Sequence, residues 1–423
     1  MQKLTVKSFS CITEAELDFQ RLTVLIGPQA SGKSVLCKLA YFFIDALFYQ
    51  IESINRGAPI GDYINALHDR FCDWFPVKAW GGGKFELSFL AGSFGIAVSR
   101  KIYRKQLKDD FSLKLNEATR EAYEKNLRWA EATKKKAKSE EDLTMSFNWR
   151  VYETIGKSVQ ALMGADAVST QTFIPAGRSF FTSVGKALAA FEQGRMLDPL
   201  TIRFGRTYTA YKERQLKYLH RDERKSIDRL SSAFAQILGG KLTIDGDREY
   251  VVTPDGREMP LFALSSGQQE LLPLVTILPM MSLNSGSNGG RLIYIEEMEA
   301  HLFPAAQSKM VELLASMHSI RSHRLQTVLT THSPYVLSKI NNLLYAGRLG
   351  SRASASKRAA VEKIVPRESW LSVSNVAAYA IKNGVLHSIK DSDGFINGDY
   401  LDDVSGDIGR EFASLQEVEY GEV

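Results

Sequence analysis

Eight residues near the start of the chain, Gly27 to Ser34 (GPQASGKS), restrict its fold more than any other stretch. They follow an unbroken apolar run, LTVLI, suited to a buried strand, and precede Val35 to Ile51, which lacks Gly and Pro and is rich in Leu, Ala and Phe. Strand, glycine-rich loop and helix together are the setting in which GxxxxGK[ST] wraps a phosphate chain. Glycines bring backbone N–H groups close to the anion, the helix N-terminus adds its positive end, Lys33 reaches the outer phosphates and the Ser34 hydroxyl binds Mg²⁺. The expected nucleotide contacts are Gly27, Pro28, Gln29, Ala30, Ser31, Gly32, Lys33, Ser34 and Val35, with ATP and Mg²⁺ as ligands.

Three later segments supply what a phosphate loop needs. Leu292 to Glu299 (LIYIEEME) is an apolar strand ending in acids, which places a carboxylate at the carboxyl edge of a parallel sheet. Glu296 is expected on the metal side, and Glu297 is expected to orient or deprotonate the attacking water. Leu264 to Glu270 (LSSGQQE) opens a helix, with Ser265 as its cap and Gly267 small enough for close backbone approach. Thr330 to Leu337 (TTHSPYVL) puts His332 directly after another expected strand.

In this order the segments resemble the ABC class of ATPases. LSSGQ is similar to its signature motif, although Ser266 departs from the commoner second glycine. The resemblance implies that Ser265, Ser266, Gly267 and Gln268 complete the site of a second copy, so that two nucleotides are held between two protomers. It also implies that His332 is the switch histidine at the γ-phosphate and that Glu299 to Pro304 (EAHLFP) crosses the interface between them. The implied catalytic set is Lys33, Glu297 and His332, with Ser34 and Glu296 at the metal.

About 230 residues separate phosphate loop and signature. This spacing resembles the Rad50, SMC, RecF and OLD branch, which carries helical insertions there. With FIPAGRS at Phe173 to Ser179, the chain is most similar to ATPase subunits of bacterial anti-phage systems, of the PARIS (AriA) or Septu (PtuA) type. The implied fold is α/β: an ABC-type head, its mixed sheet covered by helices on both faces, with an antiparallel β subdomain and a short helical insertion. Where Rad50-like proteins carry a glutamine near the end of the first lobe, this chain has Ala176, leaving Gln171 and Arg178 as nearby candidates.

The expected organisation is a first lobe over residues 1–110, a helical insertion and return over 111–240, a second lobe over 241–345 and an α+β extension over 346–423. Residues 116–141 and 145–163 are expected to form a helical hairpin reaching only about 35 Å. Residues 351–360 (SRASASKRAA) read as a linker, Asn383-Gly384 as a hairpin turn, and Asp402 to Leu415 as a last amphipathic helix. Asp391, Asp393, Asp399, Asp402 and Asp403 read as turn and cap residues.

Composition bounds the rest. Over 423 residues, 44% hydrophobic and 24% charged content suits a globular chain, and Cys11, Cys37 and Cys72 lack zinc or disulfide spacing. The sequence shows no signal-peptide pattern, so a cytoplasmic protein without a membrane partner is expected. A net charge of +5 is mild, yet basic residues concentrate at Lys101 to Lys108, Lys134 to Lys138 and Arg203 to Lys225. The leading expectation is a slow regulatory ATPase, dimeric or of higher order, that controls a separate Toprim or HNH nuclease. The competing one is a DNA-binding repair clamp with the basic segments on phosphates.

Overall fold

The computed structural model describes residues 2–104, 106–135, 147–164, 167–184, 197–213, 221–246, 248–281, 290–320 and 325–397. Alternating residues at the N-terminus form β1 (Gln2–Phe9) and β2 (Ile12–Asp18), antiparallel neighbours. The apolar run becomes β3 (Leu22–Ile26), buried throughout. Helices α1 (Lys33–Asn55) and α2 (Ile60–Trp74) precede a meander of β4 (Glu86–Ala91), β5 (Phe94–Tyr103) and β6 (Gln106–Leu115). Helices α3 (Glu117–Lys135) and α4 (Phe147–Met163) lead to β7 (Val168–Ile174), then α5 (Ser179–Val184), α6 (Pro199–Glu213) and α7 (Arg221–Leu238). A separate ribbon of β8 (Lys241–Asp245), β9 (Arg248–Val252) and β10 (Glu258–Pro260) follows. The remainder is α8 (Ser266–Met281), β11 (Gly290–Glu296), α9 (Pro304–Ile320), β12 (Leu325–Thr331), α10 (Pro334–Arg352), α11 (Ala355–Ile364), β13 (Val376–Lys382) and β14 (Val385–Ser388).

One 11-stranded sheet runs β6-β5-β4-β1-β2-β14-β13-β3-β12-β11-β7. Its first half is antiparallel, whereas β13, β3, β12, β11 and β7 are parallel. Register aligns Ile26 with Thr331, Thr330 with Glu296, and Ile295 with Ile174. The carboxyl ends of four parallel strands therefore open onto one edge, where α/β sheets bind ligands. The result is a mixed α/β fold with an antiparallel β region and helices inserted between its strands.

Helix α1 lies between the sheet and α2, α3 and α4. By length and composition it could cross a membrane, but 67% of its apolar window is buried inside the protein, where its aromatics join a cluster. Phe42 meets Phe71 and Trp74 edge-on at 5.3 and 5.5 Å, and Phe9 meets Phe85 at 5.0 Å. The described helices of the insertion pack against α1, and α3 also meets α2. Tyr123 of α3 stacks on Tyr63 at 4.7 Å and donates its hydroxyl to the Ala58 carbonyl.

Residues beyond 345 supply part of the central sheet. β13 pairs with β3, and the Asn383-Gly384 turn, with φ of 52° and 76°, takes the doubly left-handed form of a tight hairpin. The Gly384 carbonyl accepts N–H groups of Thr13 and Glu14, tying the hairpin to β2. The stretch read as a linker is instead the end of α10 and most of α11. Its Ala, Lys and Arg are strong helix formers, which outweigh the serines once Ser354 starts the turn. Asp391 accepts the Phe395 N–H within a turn. Asp399, Asp402, Asp403, the helix expected over Asp402 to Leu415, and Lys136 to Lys138 lie outside the described residues.

Candidate nucleotide site

The phosphate loop leaves β3 and is shaped by backbone that only small residues allow. Gly32 has φ of 105°, and a Cβ there would stand 2.2 Å from Ile12 Cδ1. Ala30 also holds a positive φ, 57°. Gly32 opens α1 with no side-chain cap, so the first-turn N–H groups of the helix end at the loop. Lys33 is buried and donates Nζ to the carbonyls of Gly27 and Pro28, each at 2.8 Å. Burial lowers its pKa, opposed by the nearby carboxylates of Glu297, Glu299 and Glu296.

At the end of β11, Glu296 is buried. Oε2 accepts the Ala176 N–H at 3.3 Å, Ser34 hydrogen-bonds the carboxyl group, and Oε1 has no partner. Burial raises its pKa, since a lone carboxylate is costly there. A hydroxyl and an orphaned buried carboxylate oxygen beside a phosphate loop are a donor set that fits Mg²⁺, which supplies charge neutralisation on the phosphates when bound.

Glu297 turns the chain sharply, with φ of 44°, a conformation costly for a residue with a Cβ. The strained turn swings its carboxylate away from Glu296 toward His332, whose Nε2 lies 3.1 Å from Oε1. Its N–H donates to the Thr330 carbonyl at 3.0 Å. Buried Glu299 positions the histidine: Oε1 accepts the His332 N–H and the Thr331 hydroxyl, both at 2.7 Å. In the sequence Glu299 closes LIYIEEME and opens EAHLFP, and neither segment marks it as the partner of the histidine backbone.

Lys33, Ser34, Glu296, Glu297 and His332 thus share one sheet edge. Ser265, Ser266, Gly267 and Gln268 do not join them through any hydrogen bond or ion pair among the described residues. They form the N-terminus of α8, where Ser265 and Gln268 cap reciprocally: the Gln268 N–H donates to Ser265 Oγ and the Ser265 N–H to Gln268 Oε1. Ser265 and Ser266 are exposed. Gly267 is small for a reason within its own chain, since a Cβ would meet the His301 carbonyl at 2.7 Å.

One side chain connects the two groups. Arg178 is completely buried; Nε donates to the Glu270 carbonyl at 3.2 Å, Nη1 to Glu296 O at 2.6 Å and Pro175 O at 3.0 Å, and Nη2 to Glu297 O at 3.0 Å. The Glu270 carboxylate accepts the N–H groups of Arg178 and Ser179 and lies 3.6 Å from Nε. Burial lowers the arginine's pKa and the four surrounding glutamates oppose it. Gln171, the other candidate after the first lobe, sits mid-strand opposite Leu292 and donates to the Tyr41 carbonyl, away from the strand ends. Glu270 could have been noticed as the acid that closes LSSGQQE. Nothing local marks its partner, 92 residues earlier.

Residues 22–338 match the family described as AAA domain, putative AbiEii toxin, Type IV TA system. A curated relative, the Retron Vc95 probable ATPase of Vibrio cholerae serotype O1 biovar El Tor, is 26% identical over 132 residues, which cover 30% of this chain and 25% of the relative. The match therefore spans about a quarter of that protein. Among solved structures, the SMC head domain from Thermotoga maritima aligns at 12% identity and TM-score 0.37, covering 92% of this chain and 97% of that one. An Smc head domain with an extended coiled coil, bound to the C-terminal domain of ScpA derived from Pyrococcus furiosus, aligns at 11% and 0.38, covering 92% and 96%.

Proposed function

We propose, from the premise that the chain belongs to the AAA-domain family described as putative AbiEii toxin, Type IV TA system, that it is an ATP-hydrolysing switch whose nucleotide sites close between two copies. The observation that carries this is the split constellation. Lys33, Ser34, Glu296, Glu297 and His332 converge at one edge, whereas the exposed serines of the α8 N-terminus stand apart, tethered to that edge through Arg178. A phosphate entering the loop would take the Lys33 ammonium from the two loop carbonyls. Glu297 would hold the attacking water, and His332 would fix Glu297 and meet the γ-phosphate. The signature of the second copy would close over it.

A switch must bind its ligand better in one state than the other, and a γ-phosphate touched by two protomers supplies that difference. The rim suits such closure: Phe262 beside the signature and Phe303 after EAHL are 81% and 79% exposed, large apolar groups left uncovered on one chain. The closed form would control a separate effector, a nuclease of Toprim or HNH type, in defence against phage. The test is light scattering of Glu297→Gln with and without ATP and Mg²⁺. The mass should double with nucleotide; an unchanged mass at saturating ATP would remove the two-copy switch.

A second reading, direct DNA binding as in a repair clamp, has its own observation. At the β5–β6 tip, Arg104 and Lys108 lie 5.2 and 5.7 Å from the exposed Tyr103 ring. Duplex affinity falling steeply with salt, and weakened by Arg104→Glu, would favour it.

A further inference from the structure

Away from the nucleotide edge, the end of α10, the start of α11 and the chain around Arg367 to Val373 border an open concavity of about 810 Å³. Two glycines of α10 build its floor. A Cβ on Gly347 would meet the Leu371 carbonyl at 2.1 Å, and one on Gly350 would meet the Trp370 ring at 2.0 Å, so segment 370–372 lies directly on the helix backbone. The walls are basic: Arg348, Arg352, Arg358 and Arg367 line it, and among the lining residues Asp393 is the one carboxylate.

The four guanidinium groups have one carboxylate partner among them, Asp393 beside Arg348. Arg358 donates Nε to the Gly350 carbonyl at 3.0 Å and Nη2 to Ala353 O at 3.3 Å, contacts that fix it but carry no counter-charge. Arg348 lies over the Phe395 and Tyr345 rings at 4.6 and 5.4 Å, and Asp393, 71% exposed, stands 3.6 Å from it. Arg352 and Arg367 are exposed and their side chains make no hydrogen bond or ion pair among the described residues. Four like charges in one small cavity repel, and the walls offer one carboxylate against them. An anion relieves this, and guanidinium forks suit the paired oxygens of phosphates. The volume lies within the range of small-ligand sites, about 300–1,000 Å³.

We infer that this concavity is a second anion site, separate from the phosphate loop, for a ligand bearing two or more phosphate groups. Two sources share that chemistry: a free polyphosphate compound, and the phosphates at the end of a nucleic-acid strand. Its lining residues all lie outside residues 22–338, the part of the chain that matches the family.

The test uses the full chain carrying Lys33→Ala, which silences the phosphate loop, or Lys33→Met should the smaller residue impair folding. Calorimetry measures tripolyphosphate, and fluorescence anisotropy measures a labelled single-stranded oligonucleotide with a 5′-phosphate. At least one probe should bind saturably. Adding Arg352→Glu with Arg367→Glu should weaken it at least tenfold, because both side chains are exposed and their replacement spares the fold. Lys363→Glu, an exposed charge on α11 outside the concavity, should change binding less than twofold. Tighter binding of tripolyphosphate identifies a free ligand, and tighter binding of the oligonucleotide a strand end. Absence of binding by both probes, or equal losses from Lys363→Glu and the arginine pair, overturns the site.

Discussion

Replacing Arg178 by Met should separate ATP binding from ATP turnover while costing the fold heavily. The guanidinium donates to four carbonyls, those of Pro175, Glu270, Glu296 and Glu297, and compensates the buried Glu270 carboxylate. Methionine fills much of the volume and makes none of these bonds. Glu270 then keeps only the N–H groups of residues 178 and 179, and breaking a buried pair from one side costs roughly 3–5 kcal/mol. Arg178→Lys should lose most of the same stability, since one ammonium cannot reach four carbonyls spread around a planar fork. Equilibrium urea unfolding gives the stability, and adding Glu270→Gln to Arg178→Met isolates the pair. The double variant should recover about 1–3 kcal/mol, because no uncompensated charge remains. In the same samples ATP affinity should hold while turnover falls, since Lys33 is untouched and Glu297 loses the anchor on its carbonyl. A loss below about 1 kcal/mol for Arg178→Met, or strictly additive losses in the double variant, would refute the tether.

Other outcomes follow from the same geometry. Glu297→Gln should keep ATP affinity and lower turnover by about 10²–10⁴-fold, measured as phosphate release beside nucleotide binding. Gly32→Ala should abolish detectable ATP binding and destabilise the chain by roughly 2–4 kcal/mol, through its positive φ and the crowding of Ile12. Burial, reinforced by the charge of Arg21, pushes the pKa of His318 down to about 3. The folded chain thus keeps this histidine neutral while the unfolded chain protonates it below about pH 6.5. Its effect on stability is absent above that value and grows as a loss while pH falls toward 3, about 2 kcal/mol by pH 5. His318→Gln should reduce the difference in unfolding free energy between pH 7 and pH 5, measured by urea titration, by that amount.

The parts of the site that a sequence shows are those encoded within a few residues. GPQASGKS, the acids after an apolar strand, and Asn383-Gly384 each carry their geometry locally, and each is found on the strand or turn expected. What stayed hidden depends on distant partners. β13 (VAAYAIK) has three alanines and little β-propensity, and its neighbour β3 lies some 350 residues earlier, so its place in the central sheet comes from tertiary pairing alone. Arg178 stands in the sequence only as a candidate beside Ala176, and its place under the ends of β11 and α8 comes from folding. The stretch SRASASKRAA misled for the opposite reason, because serine suggested a loop where alanine, lysine and arginine set a helix.

The central claim, a site completed by a second copy, is tested most directly by mixing two inactive variants. Lys33→Ala spoils the phosphate loop and Ser265→Arg spoils the opposing signature, so each alone should lack turnover. Mixed in equal amounts, only dimers of one copy each hold a sound site, and turnover should return to about a quarter of wild type at most. Full activity of Ser265→Arg by itself, or no recovery on mixing once mixed dimers are shown to form, would contradict the shared site.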